Sequence, residues 1–330
     1  MRVLVVSSYP PRPCGIGAYA ATQVQRLRAE GHAVTVLSPP DGTGDVHVPF
    51  HGGRPFRLAT RVGDRFDRIV VHFQPALYGR RRNPLAAIGT SLGLLWLVLR
   101  RRRTEIVVHE ADPPRWWRPD EVILRLAFRA APVLLFHTER EHRQLERLYR
   151  INVRARLLDH RSGVTVGSPL SRSAARERLG LPTDETVFLA PGFIHADKGF
   201  ERAAEAVRRS GGHLYVVGSV KDPTPANLAT LERLRALADG DSVHLIERYV
   251  DADDLDAWVA AADAVVLPYR RSWSSGVLAR AQAIGTPAVV TAVGGLPEQA
   301  TERDHVVGDD AELAAVLGRL AGRGATKVRR

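Results

Sequence analysis

The stretch TVFLAPGFIHADKGFERAAEAVRR, residues 186–209, holds the fold in miniature. Residues 186–190 (TVFLA) are a short apolar run without alternation, as expected of a strand buried on both faces. Pro191 and Gly192 end it, and a glycine-bearing loop runs on to Gly199. Over residues 200–209 the apolar positions recur at helical spacing. Strand, loop and helix in this order predict a parallel sheet covered by helices.

The pattern extends in both directions. Towards the C-terminus, residues 213–217 (HLYVV), 242–245, 264–267 (AVVL) and 288–291 (AVVT) read as further strands. At the N-terminus, residues 2–7 read as a strand, YPPRPCGIG (9–17) as a loop, and residues 18–29 as a helix ended by Gly31. Strands at 33–37, 68–72 and 105–109 follow, each separated by enough chain for a crossover. A polar stretch at 161–176, with Ser173 as a helix start, lies between the halves. The expectation is an α/β chain of two Rossmann-like, doubly wound parallel-sheet domains, residues 1–170 and 171–330. The last helix is expected to return to the first domain, and ligands to bind in a cleft between the carboxyl ends of the two sheets.

With 330 residues, 45% hydrophobic and 25% charged, the chain has a globular composition. Its net charge of +11 rests almost wholly on arginine, with only Lys198, Lys221 and Lys327 as lysines, a bias that a GC-rich genome explains. The arginine runs at 80–82 and 100–103 are not interleaved with stacking aromatics, so nucleic acid is not expected as a partner. A single cysteine, Cys14, excludes an internal disulfide and points to a reducing, cytoplasmic compartment. Residues 2–6 (RVLVV) read as a strand rather than a secretory leader. The apolar run at 85–99 falls short of the roughly 20 residues of a bilayer span. Followed by arginines, it reads as a buried helix with a basic end in preference to a membrane-surface helix making peripheral contact at the inner face.

Several residues at strand ends could carry chemistry. Lys198 beside Gly199, between a strand and a helix, can place an ammonium and backbone amides on one phosphate; read alone, it is also an ordinary solvated lysine. Gly15 and Gly17 sit where the backbone must turn or approach something closely before a helix, which a turn alone also explains. His109 and Glu110 close the strand EIVV, in position to meet a sugar hydroxyl or orient an acceptor; capping is the plainer role. His72 and Gln74 end the preceding strand and can reach the same place, and Arg115 and Trp116 add a basic and aromatic pair on the acceptor side. Ser275, Gly276 and Glu298 lie in the SSGV and GGLPE segments, whose amides are also ordinary turn chemistry. No ligand-spaced histidine and aspartate cluster predicts a metal.

In this order, YPPRPCGIG, VVHFQ, VVHE, GFIHADKG, VVLPY, SGVLARAQAIGTPAVVT and GGLPE resemble the family 4 retaining glycosyltransferases, from the first strand to about Asp309. The CGI-type first loop is similar to that of a bacterial subgroup. The resemblance implies a GT-B fold and transfer of a sugar from a GDP- or UDP-linked donor to an acceptor glycan, lipid or small natural product. It implies no metal and no cofactor beyond the nucleotide-sugar co-substrate. Lys198 would hold the diphosphate with the amides at Ser275 and Gly276, His109 would touch the donor sugar, and Gly15 and Gly17 would leave room for diphosphate and acceptor. Two departures stand out. The family's arginine after Gly192 is Phe193 here, with His195 nearby as a partial substitute, and its glutamate pair falls on Ser272 and Arg280. Arg280 can contact the diphosphate instead, with Glu298 as the ribose acceptor. The competing expectation is a catalytically degraded relative serving as a binding or partner subunit.

Overall fold

A computed structural model describes residues 1–79, 83–111, 113–167 and 170–327, apart from the side chains of residue 162 and of 323–327. The arginine run at 80–82 lies outside the described residues. The chain divides into two compact units, Met1–Gly163 and Val164–Arg330, seven residues earlier than the polar stretch alone suggested.

The first unit runs β1 (Arg2–Val6), α1 (Gly15–Ala29), β2 (Ala33–Ser38), β3 (Val46–His47), α2 (Arg54–Val62), β4 (Arg68–Phe73), α3 (Pro84–Arg100), β5 (Thr104–Val108), α4 (Pro119–Ala130), β6 (Val133–Phe136), α5 (Glu139–Tyr149) and β7 (Ala155–Leu157). All pairings are parallel, in the order β3-β2-β1-β4-β5-β6-β7. Val3 and Val5 of β1 pack with Val24 and Leu27 of α1 and with Val70, Val107 and Leu135 of the neighbouring strands. Burial on both faces explains why these strands show no alternation.

The second unit runs α6 (Arg172–Leu179), β8 (Val187–Pro191), α7 (Phe200–Ser210), β9 (His213–Gly218), α8 (Pro225–Leu237), β10 (Val243–Glu247), α9 (Ala252–Ala261), β11 (Ala264–Leu267), α10 (Gly276–Ile284), β12 (Ala288–Thr291), α11 (Leu296–Gln299), β13 (His305–Val307) and α12 (Asp310–Lys327). Its parallel sheet has the order β10-β9-β8-β11-β12-β13. The helix start predicted at Ser173 falls at Ser171, whose hydroxyl accepts from the Ala174 amide. Arg176 of α6, 4% exposed, donates to the carbonyls of Ala261, Pro182, Thr183 and Glu185 and to Asp263, so a buried charge is fully partnered. In its described part, α12 packs against α7 of the same unit.

Both units are the doubly wound, Rossmann-like sheets the sequence predicted. In each, the strand order reverses beside the first strand, between β1 and β4 and between β8 and β11. At such a point the loops from adjacent strand ends diverge and leave a crevice that backbone amides can line.

Candidate active site

At the switch point of the second unit, β8 leads into the loop that carries Lys198, and β11 into Tyr269 and Arg270. Lys198 ends a short 3-10 turn, Ala196–Lys198, and Gly199 follows at φ +59 as the residue before α7. A Cβ at Gly199 would stand 2.4 Å from the Pro268 carbonyl oxygen, so only glycine lets this loop lie against the β11 loop. That approach puts the Lys198 ammonium 3.8 Å from the centroid of the buried Tyr269 ring. Lys198 has no carboxylate partner among the described residues. Asp197 faces His195 at 3.6 Å, and Glu201 pairs with Arg270.

The SSGV and GGLPE segments meet. The Gly295 amide donates to the Trp273 carbonyl at 2.6 Å, and Gly294, at φ +55, lies on the Ser272 carbonyl, where a Cβ would come within 1.7 Å. The Gln299 side chain clamps Ser275 from both sides, accepting from its amide at 2.9 Å and donating to its carbonyl at 2.6 Å. The Ser275 amide, expected at a diphosphate, is therefore engaged within the protein, and its hydroxyl caps α10 at Leu278. Gly276 is the first, exposed residue of that helix. The Arg280 guanidinium pairs with Asp256 of α9 and reaches the Ala252 carbonyl, so its charge is neutralised. Glu298 is exposed on α11. Where the family carries an arginine, Phe193 stacks on Tyr249, 6.0 Å between centroids, with Lys221 5.1 Å above its ring. Ser272 donates its hydroxyl to the Ser274 carbonyl.

In the first unit, four histidines lie at or just beyond the ends of four successive strands. His72 lies in β4, His109 just after β5, His137 just after β6, and His160 in a 3-10 turn beyond β7. All four rings meet Tyr19 of α1 edge-on, at 5.2 to 5.7 Å. His72 Nε2 is 3.0 Å from Gln23 Oε1, and His72 Nδ1 is 2.9 Å from His109 Nε2. Gln23 Oε1 can only accept, so the proton of His72 is on Nε2. Its bare Nδ1 then accepts from His109 Nε2–H, which leaves His109 Nδ1 as a lone pair. Burial holds all four imidazoles neutral: it lowers His72 to about 3 and His160 to about 4, and lowers His109 and His137 well below the usual range, with the neighbouring imidazoles adding to the shift. Among the described residues no group of histidine, cysteine and carboxylate side chains could hold a metal ion.

Gln74 donates to Glu110 at 2.7 Å. Gly17 is closed in, since a Cβ there would stand 3.3 Å from the backbone of Ser8 and Tyr9, whereas Gly15 opens on free space. Trp116 packs edge-on against Tyr149 with the Arg125 guanidinium over its ring, and Arg115 is exposed.

The second unit carries a match to a known family. Residues 185–322 match the family described as "Glycosyl transferases group 1". A D-inositol 3-phosphate glycosyltransferase of Nocardioides sp. is 34% identical over 185 residues, covering 51% of this chain and 40% of its own length. The counterpart in Mycobacterium tuberculosis is 32% identical over 179 residues, covering 53% of this chain and 36% of its own length. The chain thus spans about 40% or less of the length of these relatives. The fold match is longer. Sucrose-phosphate synthase from Thermosynechococcus elongatus superposes on 98% of the chain and 90% of its own, with a TM-score of 0.70 at 18% identity. Anabaena HepE, in complex with UDP and glucose, superposes on 97% of the chain and 89% of its own, with a TM-score of 0.66 at 16% identity. The two sheets on either side of residue 163 are thus the pair of a GT-B fold. Within the matched residues lie Lys198, Ser275, Gly276, Arg280 and Glu298; the histidine cluster lies outside them.

Tyr269, Gln299, Tyr19, Gln23, His137 and His160 were missed in the sequence. Tyr269 closes the VVLPY motif and Gln299 directly follows GGLPE, but nothing local marks their contacts. His137 was missed because β6, four apolar residues, has no period of its own that separates strand from helix, so no strand end was placed before it.

Proposed function

We propose that the chain is a glycosyltransferase that moves a sugar from UDP or GDP to the hydroxyl of an acceptor, with retention at the anomeric carbon and without a metal. The observation that carries this reading is Lys198: an ammonium at the switch point of a group 1 domain, held over Tyr269 and without a carboxylate partner among the described residues. An oxygen of the donor diphosphate is the anion that fits it. The bond from the anomeric carbon to the diphosphate oxygen breaks, and the bond to the acceptor oxygen forms on the same face. The acceptor proton passes to the departing diphosphate. Lys198 and the helix-start amides at Gly15 and Gly276 take the charge a cation would otherwise take. The His109 Nδ1 lone pair accepts from a hydroxyl of the donor sugar, with its tautomer set through His72 by Gln23. Glu110, held by Gln74, orients the acceptor, a glycan, lipid or small natural product. The relatives' name, D-inositol 3-phosphate glycosyltransferase, and the UDP and glucose bound by HepE support a nucleotide-sugar donor.

The test is calorimetric titration with UDP, GDP and ADP and with their glucose and mannose conjugates, followed by incubation of any conjugate that binds with candidate hydroxyl acceptors. Binding of one nucleotide family, with an α-linked product from an α-linked donor, is expected. Failure of every nucleotide to bind sinks the reading and leaves a binding subunit in its place.

A further inference from the structure

Helix α3 has two apolar faces, and only one is covered. Ala87, Leu94, Leu97 and Val98 are buried against the unit, as the reading of a buried helix requires. Leu85, Leu92, Trp96 and Leu99, spaced at helical periodicity, are 78, 49, 47 and 45% exposed. Four large apolar side chains in one stripe are more than scattered surface hydrophobics, and the neighbouring helix α4 adds the exposed Val122 and Leu126.

On the other side of α3 lies α2, whose exposed face is arginine. Arg54, Arg57 and Arg61 recur at three and four residues, while Phe56 and Ala59 face inwards. Two glycines of α3 allow the helices this close: a Cβ at Gly89 would stand 2.9 Å from the Gly52 carbonyl oxygen, and one at Gly93 2.9 Å from that of Gly53. The result is an open groove of about 820 Å³ lined by Arg57, Arg61, Leu92, Trp96, Arg100 and Arg101. Arg101 is spent on the Thr60 carbonyl and Asp64, and Arg100 lies 4.2 Å over the Trp96 ring. Arg54, Arg57 and Arg61 have no acidic partner among the described residues.

We propose that this face of the first unit docks on the surface of a bilayer containing anionic phospholipid, with phosphates in the arginine groove and Trp96, Leu92 and Leu99 in the acyl boundary. Charge complementarity decides for this occupant. Unpaired cations of one sign beside an aliphatic and tryptophan stripe match a negatively charged interface with hydrocarbon beneath it. No described helix is long and apolar enough to cross a membrane, so the attachment is to one surface. The inference does not rest on the proposed transfer reaction, since none of these residues is placed in that site.

The experiment is sedimentation of the full chain with sucrose-loaded vesicles of phosphatidylcholine, with and without phosphatidylglycerol, at low and at physiological salt. Binding that needs phosphatidylglycerol and weakens with salt is expected. Each unpaired arginine removed costs about fivefold in partition, so Arg57→Gln with Arg61→Gln should lower it roughly thirtyfold. Leu92→Ser with Trp96→Ser should abolish binding with far-UV circular dichroism unchanged. The proposal is overturned if the wild-type chain stays in the supernatant at every phosphatidylglycerol content, or if the arginine pair can be removed without effect. A concentration-dependent dimer in analytical ultracentrifugation that the Leu92 and Trp96 changes abolish would also overturn it, by making the stripe an interface between copies.

Discussion

Lys198 lies where one charge decides binding. Its neighbour Glu201 pairs with Arg270, and its own contact is with a ring face. A charge-assisted hydrogen bond to phosphate contributes about 1.5 to 3 kcal/mol. Lys198→Ala is therefore expected to weaken nucleoside diphosphate binding roughly 10- to 150-fold in calorimetric titration, with the melting temperature of the free protein little changed. His72 acts on His109 through its tautomer. Replacing Gln23 by Glu, whose carboxylate oxygen accepts where the amide oxygen did, keeps the proton on His72 Nε2, whereas Gln23→Leu frees it to move to Nδ1. Under the proposed reaction, Gln23→Leu should lower kcat/KM for the nucleotide sugar about tenfold, and Gln23→Glu should lower it less; equal losses in a steady-state assay would mean that the His72 tautomer does not act on His109. Lys198 was legible in the sequence as a residue of a loop between strand and helix, and His109 and Glu110 as strand-end residues. The partners that give them their properties, Tyr269 and Gln23, come from other elements and have no local signature.

At the scale of elements, the loops at the switch point of the second unit depend on glycines that bring backbones together. Gly294 combines a left-handed φ of +55 with a position over the Ser272 carbonyl. A side chain there meets both costs, backbone strain and a clash that only movement of the 272–275 loop relieves. Gly294→Ala is expected to destabilise the protein by about 2 to 3 kcal/mol, a fall of roughly 4 to 12 °C in calorimetry. It should also displace Gly276 at the start of α10, whereas Gly211→Ala, at a positive φ with no atom within 4 Å, should cost less. Helix α3 shows how an element misleads when read alone. Its apolar residues run nearly all the way round, which suggests full burial, yet the unit covers only one side of it.

Across the whole molecule, the buried histidines make stability depend on pH. In the unfolded chain each titrates near 6.5. In the folded unit they stay neutral down to about 4 for His160 and about 3 for His72. Between these limits the unfolded state binds more protons, so the stabilisation is complete above about pH 6.5 and is lost as pH falls. Each neutral histidine contributes a slope of about 1.4 kcal/mol per pH unit. Urea titrations at pH 7, 6 and 5 should show a steep loss, with hydrogen exchange locating it in β4 to β6. His160→Phe should flatten the slope by the share of one histidine. A stability constant from pH 7 to 5 would mean that the imidazoles are charged in the folded state.

Doubly wound architecture, the division into two units and the strand ends that carry His72, His109 and Lys198 were all determined by the sequence, because apolar runs, glycine breaks and helical periodicity are local properties. The tertiary structure decided which of the chemically plausible residues are available. Arg280 could bind phosphate by its type, but α9 brings Asp256 to it; the Ser275 amide could do the same, but Gln299 holds it. It also assembled four histidines on Tyr19 from positions 23 to 88 residues apart by sequence number, and left one face of α3 bare. Whether a polar group is free depends on what the fold places within about 3 Å of it, and that distance is set by packing between elements that no stretch of sequence contains.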